Sequence, residues 1–93
     1  MRINNIFAAA HSGNGVMTLF FLDRGVDPNI QDDNGSTALM MAAEGGHKTI
    51  IQVLLKRNAD VNIQATDGST ALMIASKMGN EDIENLLREA GAK

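Results

Sequence analysis

The two histidines are the side chains in this sequence best suited to chemistry, because imidazole can bind a metal ion or move a proton near neutral pH. His11 and His47 lie far apart in the sequence, and neither is accompanied by a recognisable set of catalytic partners. A zinc site needs three or four converging ligands, and the chain contains no cysteine. We therefore expect no metal site and no cofactor.

Other stretches that look like functional motifs are incomplete. The segment GGHKT at residues 45–49 lacks the strand, the spacing and the Gly-Lys pair of a phosphate-binding loop. Asn34-Gly35-Ser36 is formally a glycosylation sequon, but in a cytosolic protein we interpret it as a turn. Neither a nucleophile elbow nor a dinucleotide fingerprint occurs. The sequence therefore predicts no enzymatic activity.

Composition narrows the class of protein further. The chain has 93 residues, of which 44% are hydrophobic, and its net charge is −3. This length indicates one domain, residues 1–93. The acidic balance argues against nucleic acid as a partner, because a duplex binder needs a basic face. No apolar run approaches the roughly 18 residues of a membrane span, and the lack of cysteine fits a reducing compartment. We expect a cytoplasmic protein.

The most informative pattern is an internal repeat. The hexamer GSTALM occurs at residues 35–40 and again at 68–73, so the two copies are 33 positions apart. The same shift aligns DPNIQ at 27–31 with DVNIQ at 60–64. It also places Ala9, Ala42 and Ala75 in register. Such self-similarity is typical of proteins built from stacked structural repeats.

Each copy has the same local organisation. A segment such as TALMMAAEGG has apolar residues at helical spacing and ends in glycine. A second segment, HKTIIQVLLKRN, presents a broad apolar face with the same period. A polar stretch, ADVNIQDDNG, follows and is typical of a turn. Two short helices cannot bury their apolar faces alone, so each copy must pack against the next.

This pattern resembles the ankyrin repeat from about Asn4 to Lys93. The resemblance implies an all-α solenoid of three helix-turn-helix units with protruding β-turn loops. The predicted repeats span about residues 1–28, 29–61 and 62–93, and the first helix is expected to start near Ile3. The family's T-P-L-H step reads Thr37-Ala38-Leu39-Met40 in this chain, so the usual polar histidine bridge is replaced there by an apolar side chain.

The resemblance and the register assign roles to several individual residues. His47 falls on the family's Gly-His step, which implies a structural hydrogen-bonding role, and His11 is expected to face solvent. Met40 and Met73 repeat at the 33-residue spacing, which predicts that both pack in the core or between copies. Asn80 is a favourable helix N-cap.

The third copy has the character of a C-terminal cap. Ile51 and Leu55 lie on one face of the second helix of the middle copy, and the third copy has Glu84 and Arg88 at these positions. A repeat array must end in a polar outer face if it is to stay soluble. This substitution of charged for apolar residues predicts where the array is closed.

Resemblance to ankyrin repeats implies a protein-binding adaptor or inhibitor. Its partner would dock on the concave face, by which we mean the surface formed by the turn tips and the first helices. The acidic turn tips indicate a basic segment on the partner, although a solvated turn would use the same residues. The predicted binding residues are His11, Ser12, Asp33, Asn34, Ser36, Glu44, Thr66, Asp67, Ser69, Lys77 and Met78.

A second hypothesis is self-assembly through the N-terminal copy. This copy is rich in apolar residues, and Leu19 stands where later copies have Gln52 and Asn85. These residues either form an irregular buried first copy or an exposed apolar patch. The chain is accordingly expected to be a monomer or a weak homo-oligomer. The candidate oligomer face consists of Phe7, Met17, Leu19 and Phe20.

Overall fold

The computed structural model describes residues 5–93, and within that range the chain forms helices and turns without any strand. The expected helix start near Ile3 lies outside the described residues. The described part contains three helical hairpins in succession. Their helices are α1 Ile6–Ser12, α2 Gly15–Asp23, α3 Ala38–Gly45, α4 Lys48–Lys56, α5 Ala71–Lys77 and α6 Glu81–Glu89.

Short polar side chains determine where the helices begin. The Thr37 hydroxyl accepts a hydrogen bond from the backbone N–H of Met40 at 3.3 Å, and Thr70 does the same for Met73 at 3.2 Å. Asn80 accepts from the backbone N–H of Ile83, which confirms its predicted role as N-cap. These bonds satisfy backbone donors that have no partner inside the helix.

Glycine ends the first helix of the first two hairpins. Gly13 follows α1 with φ of +80°, and Gly46 follows α3 with φ of +72°. A residue with a Cβ atom is strained in this left-handed conformation, whereas glycine adopts it freely. The glycine thus lets the chain reverse directly into the second helix.

The hairpins stack so that like helices become neighbours. Helix α3 packs between α1 and α5, and α4 packs between α2 and α6. The first helices carry small, fully buried residues such as Ala42 and Ala75, and small side chains allow neighbouring helices to approach closely. The second helices contribute larger aliphatic side chains to the core. Those that are fully buried include Ile50, Ile51, Leu54, Ile83 and Leu87.

The polar loops are also joined from one repeat to the next. The side chain of Asn29 accepts from the backbone N–H of Asp60 at 2.6 Å, and the equivalent Asn62 accepts from Lys93 at 3.1 Å. The Gln31 amide donates to the backbone oxygen of Gln64 at 3.3 Å. Hydrogen bonds therefore connect the loops of adjacent repeats, whereas burial of apolar side chains stabilises the packing of the helices.

The exposed end of the stack corrects one expectation. Met40 is 2% exposed and packs between repeats as predicted, but Met73 is 53% exposed. The third repeat covers Met40, whereas nothing in residues 5–93 covers Met73. The same register position is therefore core in one repeat and surface in the next.

The third repeat has charged residues at positions that are apolar in the middle repeat. Arg88 and Glu84 form an ion pair with 3.4 Å between Nη2 and Oε1. Their equivalents in the middle repeat differ, because Ile51 is fully buried and Leu55 is half-buried against the core. The pair gives polar character to a surface that is apolar one repeat earlier.

Candidate functional site

The turns before α3 and α5 are each shaped by an aspartate. In the middle repeat, Oδ1 of Asp32 accepts from the backbone N–H groups of Asn34 and Ser36, each at 2.9 Å. The third repeat has Ala65 at the position of Asp32, and there Oδ1 of Asp67 accepts from the N–H of Ser69 at 2.9 Å. Both turns thus project a carboxylate that is fixed by the backbone beside it.

The hydrogen bond in the third turn also changes the acidity of its aspartate. Donation from the Ser69 backbone, with a further contribution from the Ser69 side chain, holds the pKa of Asp67 below its ordinary value of 3.8. The Lys77 ammonium acts in the same direction. A hydrogen-bonded carboxylate is stabilised in its charged form, so Asp67 presents a negative charge at the tip.

Most of the predicted binding residues meet at the junction of the second and third repeats. An open depression of about 320 Å³ lies there, between the third turn and the ends of the first helices. We call it the concave groove. It brings together six of the predicted residues, together with three apolar ones that the prediction did not include. Its lining comprises Ser36, Glu44, Asp67, Ser69, Lys77 and Met78, with Ala65, Met73 and Ile74.

The remaining predicted residues divide between neighbouring surfaces. Asn34 and Thr66 line a shallow depression between the turn tips, next to the concave groove. They are bonded to each other, because both the backbone N–H and the hydroxyl of Thr66 donate to the Asn34 carbonyl oxygen at 3.0 Å. Asp33 is exposed on the middle tip. Ser12 instead lines a separate depression on the first repeat, with Met17.

Three residues at one register position run along the concave face. His11, Glu44 and Lys77 follow one another at 33-residue intervals at the ends of α1, α3 and α5. His11 Nε2 lies 3.2 Å from Glu44 Oε1, and both side chains are more than half exposed. The exposure of His11 confirms that it faces solvent, and its contact with Glu44 links the first two repeats across the proposed binding surface.

His47 has the structural role that the resemblance implied. Its Nε2 lies 2.8 Å from the backbone carbonyl oxygen of His11. A carbonyl oxygen only accepts, so Nε2 carries the proton and donates. The equivalent residues Asn14 and Asn80 cap their own helices, whereas His47 makes no capping bond and reaches to the neighbouring repeat instead.

The N-terminal repeat places the candidate oligomer residues unequally. Phe7 is half-buried against the core, and Met17 and Leu19 are also half-buried. Phe20 is 43% exposed, and its ring lies 4.8 Å from the Arg24 guanidinium carbon. The prediction missed Val16, which is 79% exposed. Its register position holds Thr49 and Asp82 in later repeats, so comparison of the copies could have identified it.

Within residues 5–93, no three His, Asp or Glu side chains come together in a way that could hold a metal ion. None of the helices in that same range combines the length and the apolar character needed to cross a bilayer.

Comparison with known proteins identifies the architecture described above. The family model for ankyrin repeats, in three copies, matches residues 6–93. The chain belongs to the ankyrin-repeat family. The predicted family and the all-α fold are therefore confirmed, and the helical hairpins described above are its ankyrin repeats. A search of curated proteins found no match. Ankyrin repeats are generally protein-protein interaction modules and typically are not catalytic.

Proposed function

We propose that this ankyrin-repeat protein is a cytoplasmic, non-catalytic adaptor or inhibitor that binds a partner protein on its concave face. The observation that carries the proposal is the convergence of residues that differ between repeats. Glu44, Asp67, Lys77 and Met78 all line one open groove, although their register equivalents in other repeats have different chemistry. Residues that serve only stacking would be expected to repeat.

The rigidity of the surrounding framework supports this function. The groove is built on helix ends and on turns whose backbone is already hydrogen-bonded, as at Asp67 and Ser69. A surface that is ordered before binding loses little conformational entropy when the partner docks. A short repeat array therefore offers useful affinity from a modest contact area.

Affinity capture from the source cell tests the proposal. The protein would be immobilised as wild type and as a variant in which Asp33, Glu44, Asp67 and Met78 are alanine. All four side chains are exposed, so the variant should fold. We expect the wild type to retain a specific partner protein that the variant loses. A matched control would replace four exposed residues on the second helices, namely Lys48, Thr49, Asp82 and Glu89.

The control defines the outcome that contradicts the proposal. Equal capture by the wild type and the concave-face variant would mean that the partner binds elsewhere. Loss of capture with the second-helix control alone would move the binding surface to the opposite side of the stack. Neither result depends on knowing the partner beforehand, because each compares the same bound protein between variants.

Self-assembly through the N-terminal repeat is a second candidate. Val16 and Phe20 are favoured for this role because both are large exposed apolar side chains on α2. Exposed apolar residues that lie together often mark an interface. Sedimentation velocity over a range of concentrations tests the idea. A concentration-dependent increase in sedimentation that disappears on Val16→Ser and Phe20→Ser substitution supports it, and a monomer at every concentration contradicts it.

A further inference from the structure

The concave groove has an apolar floor at its third-repeat end. Met73 and Met78 are each 53% exposed, and half-buried Ile74 lies on the same helix as Met73. Met78 occupies the position of Gly45 in the middle repeat, so the third repeat adds a long flexible side chain where its neighbour has none. Methionine adapts its shape to different contacting groups and is common at binding surfaces.

The charged groups that border this apolar floor are mostly negative. Glu44 and Asp67 contribute carboxylates to the groove, and Lys77 contributes the only ammonium group among its lining residues. The three formal charges sum to −1 at neutral pH. The neighbouring turn tip of the middle repeat adds the carboxylate of Asp33, which is exposed. An incoming cation is therefore attracted to the groove, whereas an incoming anion meets more repulsion than attraction.

We propose that the concave groove binds a segment of a partner protein in which a lysine or arginine lies close to a large apolar side chain. The apolar side chain packs on Met73, Ile74 and Met78, and the cationic group lies against the carboxylates of Glu44 and Asp67. This inference rests on the proposed function, because it assumes that the concave face is the docking surface, and it adds the chemistry of the docked segment.

The two carboxylates are suited to receive a cation. Glu44 Oε1 contacts His11, and Asp67 Oδ1 accepts from the Ser69 backbone, so each carboxylate is held in place by one of its oxygens. The second oxygen of each group has capacity for a further donor. An arginine can use such oxygens with several of its own N–H groups, and charge-assisted bonds of this kind are short and strong.

Selection from a peptide library tests the inference without a known partner. A phage-displayed library of random peptides would be panned against the immobilised 93-residue protein. Enriched peptides would be synthesised, and their dissociation constants measured by fluorescence anisotropy. We expect them to contain a basic residue within a few positions of a Leu, Ile, Met, Phe or Trp. Added salt should weaken the binding of these peptides, because it screens the attraction between exposed charges.

Two double variants examine the two halves of the groove separately. Met73→Ser with Met78→Ser removes the apolar floor, and Glu44→Gln with Asp67→Asn removes the negative charges while keeping the shapes. Each should weaken binding by at least about tenfold, the change expected for losing roughly one good contact. A control, Lys48→Ala with Asp82→Asn, changes exposed residues of the second helices and should leave affinity unchanged.

The possible results separate this inference from the proposed function. Enriched peptides that lack basic residues, yet lose affinity with the groove variants, overturn the inference and leave the concave docking site standing. Enriched peptides that are insensitive to both groove variants bind elsewhere and contradict both. A selection that enriches no peptide overturns the inference alone, because a partner could still dock as a folded surface.

Discussion

His47 of the middle repeat donates from Nε2 to the backbone carbonyl oxygen of His11, over a distance of 2.8 Å. This bond crosses from one repeat to another and ends at the same residue whose side chain contacts Glu44. Half-buried His47 thus holds the backbone at His11, the first residue of the row that continues with Glu44 and Lys77 along the concave face. The bond links the stability of the stack to the geometry of the proposed binding surface.

Replacing His47 with alanine should lower the free energy of unfolding by about 1 kcal/mol, the typical net value of one hydrogen bond. Replacement with asparagine should cost less, because Asn14 and Asn80 cap the equivalent helices and the new side chain could cap α4. Urea unfolding followed by far-ultraviolet circular dichroism provides the measurement. Equal stability of H47A and the wild type would show that the bond contributes nothing.

Replacing Gly45 with alanine should destabilise the protein, although alanine normally favours a helix by about 0.5–1 kcal/mol over glycine. A Cβ atom at this position would lie 2.5 Å from His47 ring atoms and 2.7 Å from the His11 carbonyl oxygen. The loss should shrink in an H47A background, which relieves the first of these clashes. A double-mutant cycle of thermal or urea unfolding measures this coupling.

Gly15→Ala serves as the control for that cycle. A Cβ atom there meets Ile50 at 3.6 Å, which is an ordinary contact distance, and Gly15 is also helical. We expect G15A to be neutral or slightly stabilising. If G45A were as stable as G15A, the close approach of His47 to α3 would not constrain this position.

Replacing Ile51 with alanine should cost about 2–5 kcal/mol, because a fully buried aliphatic side chain leaves a cavity when it is truncated. That is a large share of the roughly 5–15 kcal/mol by which domains are usually stable. Val16→Ala is the matched control, since Val16 is 79% exposed and should change stability by less than about 0.5 kcal/mol. Comparable midpoints in urea for the two variants would contradict this packing.

Asp67→Asn should make stability less dependent on pH in the acidic range. The folded-state pKa of Asp67 is held below 3.8 by the Ser69 hydrogen bonds, so its ionised form favours the folded state above that value. This contribution is lost as pH falls through the folded-state pKa. The wild type should therefore melt higher than D67N at neutral pH, and the difference should close under acid conditions. A difference that widens instead would reverse the sign assigned here.

The repeat period made the fold predictable to a large extent. The shift of 33 residues aligns Ala42 with Ala75, and both are fully buried residues of first helices that pack against one another. Helix N-caps such as Asn80 are also predictable from the sequence, because capping depends on hydrogen bonds between residues close together in the chain. Local chemistry and one global period together specify the architecture.

The surface was less predictable, because exposure depends on what lies beyond each repeat. Met73 has the same register as Met40 but is exposed where Met40 is buried. The six residues that end at each methionine are identical, so the preceding local sequence does not distinguish the two. For Phe7 the sequence leaves a buried first copy and an exposed patch both open, and the structure shows the side chain half-buried against the core. Which predicted residues share one groove became clear only from the arrangement of the turns.

The contrast between Ile51 and Glu84 also bears on how such a chain could lengthen during evolution. Tandem duplication of the segment containing α5 and α6 would bury the Glu84–Arg88 ion pair at a new interface between repeats, where removing both charges from water costs free energy. Duplication of the segment containing α3 and α4 would instead reproduce an apolar interface between repeats, in which Ile51 is already fully buried. Duplication of the middle repeat is therefore expected to disturb the packing of the array less than duplication of the third repeat.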